Sequence, residues 1–128
     1  MCHTSADATS SGSQELNFIK PVPVAVAIVF VLIQPFAQAE EFTVTQTDKT
    51  FKMTGKKIED MTIRVGDSIR FLNEDPWVHN VFSLSPAKKF DLGSYPKGES
   101  KTVIFDMHGE VEIECSIHPQ MQLHLKVE

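Results

Sequence analysis

The segment of this 128-residue chain with the most chemistry in it is Cys115-Ser116-Ile117-His118-Pro119-Gln120-Met121, and a second histidine lies well upstream in His79-Asn80. A thiolate, two imidazoles and a thioether form the donor set of mononuclear electron-transfer copper sites. Copper(I) favours soft sulfur and low coordination, whereas copper(II) favours imidazole and higher coordination. A trigonal set of two histidines and one cysteine, with a weak axial methionine, suits both states, so little rearrangement accompanies the electron. A tight loop leaving a strand can turn Cys115, His118 and Met121 toward one point while a neighbouring strand brings His79. Pro119 stiffens that loop beside His118 and removes a backbone donor.

Each residue alone has a plainer reading. Cys115 could be a buried inert thiol and Met121 could be core filler. His108 falls in a turn and His124 on an outward face, so both are expected to be ordinary surface residues. Trp77 is either packing or part of the metal end. Glu110, Glu112 and Glu114 form an acidic strip, with alternate residues about 7 Å apart along a strand. The strip is either a solvated face partly paired with lysines or a docking surface for a basic redox partner, whose encounter complementary charge would speed.

The elements that must position these residues read as strands. Phe42 and Val44, then Met61, Ile63 and Val65, then Ile69 and Phe71 alternate with polar residues, and no stretch has helical periodicity. Val65-Gly66-Asp67-Ser68 suggests a two-residue hairpin pairing the last two of these strands directly. Asn73-Glu74-Asp75-Pro76 is a turn, and Val78 to Leu84 has the two-faced apolar character of a central strand, so alternation does not settle which way His79 points. Residues 87–98, with Gly93, Pro96 and Gly98, read as a surface loop, and residues 101–106 as a strand. In the last two strands, Val111, Ile113 and Cys115 share one face, and Met121, Leu123, Leu125 and Val127 another. The expected fold is an all-β, two-sheet Greek-key sandwich.

The first 39 residues have a different character. The apolar run from Val22 to Ile33 ends in Gln34-Pro35-Phe36-Ala37-Gln38-Ala39, the profile of an export signal cleaved after Ala39. The run is shorter than the roughly 18 residues that span a bilayer. Leu16 to Lys20 followed by this run makes a better signal than the full N-terminus, which points to a start downstream of Met1, with residues 1–15 upstream of it. Residues 40–128 then form the domain, with Cys115 as its single cysteine in an oxidising compartment, where an unpaired thiol needs a reason. The net charge of −5 offers nothing to nucleic acid.

Val65-Gly66-Asp67 before a strand, His79-Asn80-Val81-Phe82 and the Cys-x-x-His-x-x-Met loop together resemble the cupredoxins, and among them the plastocyanin and amicyanin-like group with its short loop. The resemblance implies that His79, Cys115, His118 and Met121 hold one copper ion that cycles between copper(I) and copper(II). It also implies that Asn80 hydrogen-bonds across to the cysteine loop. The implied protein is a periplasmic monomer, with no stable membrane insertion after processing, that shuttles single electrons between a donor and an acceptor such as a cytochrome c or a dehydrogenase. It is not expected to be an enzyme, since the donor set is coordinatively full. The alternatives are a copper-delivery protein and a copper enzyme with an open coordination site. A binuclear site would need a second cysteine in the loop.

Overall fold

The computed structural model describes residues 3, 12, 19–21 and 37–128. Most of the expected export signal, with Cys2 and the apolar run, lies outside the described residues. Among these residues no helix is long and apolar enough to cross a membrane.

Residues 41–127 form ten strands in two mixed five-stranded sheets. The first sheet contains β1 (Glu41–Thr47), β2 (Thr50–Met53), β3 (Lys56–Lys57), β5 (Ser68–Asn73) and β8 (Ser100–Ile104), in the order β3-β2-β1-β5-β8. The second contains β4 (Asp60–Ile63), β6 (His79–Ser83), β7 (Phe90–Tyr95), β9 (Gly109–Glu114) and β10 (Gln122–Val127), in the order β4-β10-β9-β6-β7. Val44, Ile69 and Phe71 from the first sheet and Val81, Val111, Ile113, Leu123 and Leu125 from the second are all fully buried in one core. Alternation along each strand puts these residues on one face, and burying each stabilises the fold by about 1.5 to 3 kcal/mol. Phe51 and Phe71 meet edge to face at 6.1 Å, and Phe90 and Phe105 at 6.3 Å.

The hairpin expected at Val65-Gly66-Asp67-Ser68 does not form. β4 lies beside β10 in parallel, while β5 lies in the other sheet between β1 and β8. The turn instead closes on the side chain of buried Asp67, whose carboxylate accepts Arg64 N–H and Glu40 N–H, each at 2.8 Å. Gly66, at φ 98°, supplies the conformation this crossing requires. Alternation placed Ile63, Ile69 and Phe71 inward, whereas Val65, beyond the end of β4, is exposed; it carried no information about which sheet receives each strand.

Residues 87–98 are not a loop throughout, because β7 pairs with β6 along the sheet edge. A register irregularity opposite Asn80 to Phe82 and Gly93 at φ 65° break its period of two, which hid the strand. β2 and β3 are too short, at 4 and 2 residues, to stand out in the sequence. The turns bounding β2, Asp48-Lys49 and Thr54-Gly55, each place both central residues at positive φ, as a two-residue hairpin of primed type demands.

Candidate metal centre

The site forms at one end of the second sheet. β6 begins at His79, and Val81 two residues on is fully buried on the same face, so this strand turns His79 into the core. Cys115 directly follows β9, which meets β6 near Phe82 and Glu114. The loop from Cys115 to Met121 is closed on itself, since Met121 N–H donates to His118 O at 2.9 Å and Cys115 N–H to Met121 O at 3.2 Å. Met121 then leads into β10, facing inward with Leu123 and Leu125.

The structure brings His79, Cys115 and His118 together. Cys115 Sγ lies 3.9 Å from His79 Nδ1 and 3.7 Å from His118 Nδ1, and the two Nδ1 atoms are 3.1 Å apart. A metal ion about 2.0 Å from nitrogen and about 2.3 Å from sulfur, lengths typical of zinc, could reach all three donor atoms at these separations. The three residues therefore fit a first-row metal ion. Met121 is fully buried at the end of the same loop.

The donors differ in exposure. His79 and Cys115 are buried, whereas His118 is half-buried and reaches the surface. Burial pushes the His118 imidazole below its ordinary pKa, His79 and Lys49 push the same way, and Asp75 alone opposes them. The neutral form, which ligates metal, is therefore favoured.

Asn80 faces away from His79 and ties the site to its surroundings. Its Oδ1 accepts Ser116 N–H at 3.2 Å, and its Nδ2 donates to Asp91 Oδ1 at 2.8 Å. It therefore bridges β6, the cysteine loop and β7. His108 is exposed in its turn, away from the three donors. His124 lies on the outer face, where its Nε2 is 3.0 Å from Glu110 and 3.5 Å from Glu112. The acidic strip thus turns to His124 rather than to lysine, and Lys126 pairs with Glu128 instead. Trp77 is 46% exposed, with Lys49 Nζ 4.9 Å from its ring centre.

Two residues at the site escaped the sequence reading. Asp75 is buried, and its Oδ2 lies 2.6 Å from His79 Nε2. Burial alone would raise its carboxyl pKa, but hydrogen bonds from Lys49 N–H, His79 and Asp48 N–H outweigh that and hold it below the usual value. Tyr95, buried on β7 opposite His79, has its phenol pushed up, first by burial and then by the nearby Cys115. The only signal for Asp75 was its place four residues before a candidate ligand in a turn; Tyr95 lay in the presumed loop.

No protein-family model matches the sequence, and no curated protein matches it. Among solved structures, a copper-containing nitrite reductase from Thermus scotoductus SA-01 is similar at 24% identity and a TM-score of 0.60, over 69% of this chain but 22% of that one. This chain thus spans about a fifth of the reductase. A methionine-to-alanine variant of amicyanin in its copper(I) form is similar at 18% identity and 0.60, over 69% of this chain and 82% of that one. A reduced tryptophan-to-tyrosine variant of amicyanin gives 19% identity with the same TM-score and coverage. At these identities the likeness shows the fold, and the fold is the cupredoxin sandwich.

Proposed function

We propose that the protein is an electron carrier with one type 1 copper site, held by His79, Cys115 and His118 with Met121 as axial donor. The observation that carries this reading is the convergence of two imidazole nitrogens and one thiol sulfur, one from the start of β6 and two from the loop after β9, within 3.9 Å of one another. Copper bound there would take up and release one electron by alternating between its two oxidation states. Cys115 would supply the thiolate from a buried position, and His79 lies fully inside the core. His118 offers the path to the surface, flanked in sequence by the half-exposed Ile117.

The donor and acceptor on this reading are redox proteins, such as a cytochrome c or a dehydrogenase, met by a monomer in the periplasm. Export is supported by the exposed Ala37-Gln38-Ala39, which precedes the first strand. Cleavage after Ala39 would leave a free amino group on Glu40, whose nitrogen lies 2.8 Å from Asp67 Oδ1, so a buried carboxylate already waits for that charge. N-terminal sequencing of periplasmic protein should begin at Glu40; recovery only as an intact membrane-bound chain would defeat the export reading.

The deciding experiment is the visible spectrum of the copper(II)-loaded protein. An intense blue thiolate charge-transfer band supports the reading. Absence of the band, or an exchangeable water on the metal, would move the choice to copper delivery or to a copper enzyme with an open position.

A further inference from the structure

The deepest carboxylate at the site belongs to Asp75, and its surroundings are built around it. Imidazole has two nitrogens on opposite sides of the ring, and His79 uses them differently. Nε2 meets Asp75 Oδ2 at 2.6 Å, while Nδ1 faces His118 and Cys115. Asp75 is in turn fixed from the other sheet. Its Oδ1 accepts Asp48 N–H at 2.7 Å and its Oδ2 accepts Lys49 N–H at 3.0 Å. Both donors belong to the β1–β2 turn, where Asp48 and Lys49 stand at φ 55° and 56°. Lysine rarely adopts that conformation, which costs on the order of 1 kcal/mol or more, so the turn holds strain while aiming two N–H groups at one carboxylate. Asn73, fully buried, shapes the connection: its Oδ1 accepts Asp75 N–H at 2.9 Å, and its Nδ2 donates to the carbonyls of Trp77 and Tyr95.

We infer that Asp75 is a positioning residue: held by the β1–β2 turn, it keeps the proton of His79 on Nε2 and Nδ1 bare toward the metal position, and its charge favours copper(II) over copper(I). The inference rests on the copper-site reading above. A carboxylate behind a ligating histidine fixes the ring and raises its basicity, and losing such a partner typically costs about 10- to 100-fold in metal affinity. A negative charge one imidazole away from the metal stabilises the more positive oxidation state, so Asp75 lowers the reduction potential.

The test uses the full chain. In ¹⁵N NMR of the metal-free and the zinc-loaded protein, His79 Nε2 is expected to carry the proton in both; a bare Nε2 in the metal-free protein overturns the inference. Asp75→Asn places an amide where three donors converge, so its zinc affinity should fall about 10- to 100-fold. Its copper potential should rise by at least the equivalent of a tenfold change in relative affinity, about 59 mV for one electron. A folded D75N with unchanged affinity and potential also overturns it. If D75N fails to fold, the wild-type NMR still decides. If wild-type copper(II) protein shows no blue band, the copper-site reading fails, while the proton on His79 and the zinc affinity still judge Asp75.

Discussion

Asn80 Oδ1 accepts the N–H of Ser116 at 3.2 Å, joining the strand that carries one histidine donor to the loop that carries the other. The same amide donates to Asp91 Oδ1 at 2.8 Å, so one side chain spans three segments of the second sheet. Its backbone neighbour His79 points the opposite way, into the core. The register of β6 therefore determines both contacts at once, since a slip of one residue would exchange them.

Asn80→Ala removes both hydrogen bonds and frees the start of the cysteine loop. Each such bond contributes about 1 kcal/mol net, so a stability loss of roughly 2 kcal/mol is expected in denaturant titration. The donors themselves remain, so a blue band should persist while a chelator strips copper faster. A variant that holds copper as long as wild type would show that the loop closes without Asn80.

Cys115→Ser should abolish the blue band and leave the sandwich folded, because a hydroxyl cannot supply the thiolate transition and the core packs through Ile113, Leu123 and their neighbours. His108→Ala and His124→Ala should leave the spectrum unchanged, since neither approaches the three donors. Loss of colour in either histidine variant would refute the ligand assignment.

Met121→Leu keeps volume and apolar character at a fully buried position, so stability should change by less than about 1.5 kcal/mol. If the thioether is the axial donor, its removal takes electron density from copper(II) more than from copper(I), and the potential should rise. Met121→Gln should lower it, because an amide oxygen favours copper(II). Voltammetry on the three proteins checks this, and equal potentials would make Met121 core filler.

Asp67 gives a pH dependence with a definite sign. Its carboxyl pKa is lowered by the hydrogen bond from Glu40 N–H, against the opposing push of burial, with Arg64 N–H helping. A carboxyl depressed on folding contributes stability that is fully present above its ordinary pKa of 3.8 and is lost as pH falls through the folded value. Asp67→Asn should therefore be less stable than wild type at neutral pH, and the gap should narrow below about pH 4. Thermal melts of both proteins from pH 7 to pH 3 measure it; a gap that widens on acidification would contradict the assignment.

The sequence by itself determined what the last two strands bury. Val111, Ile113 and Cys115, then Met121, Leu123, Leu125 and Val127, alternate strictly, and all are buried. The Cys115 to Met121 spacing likewise marked a compact loop carrying three donors, because residues so close in the chain have few ways to be far apart. Partner choice across the sandwich was decided only by the tertiary structure. Met61 and Ile63 have the same inward pattern whether β4 pairs with β5 or with β10, since a period of two encodes a face and not a neighbour. β7 was concealed because its bulge at Gly93 breaks that period. Asp75 was illegible for a related reason: its meaning comes from the amides of Asp48 and Lys49, more than 25 residues away, and from His79, contacts that exist only once the two sheets are assembled.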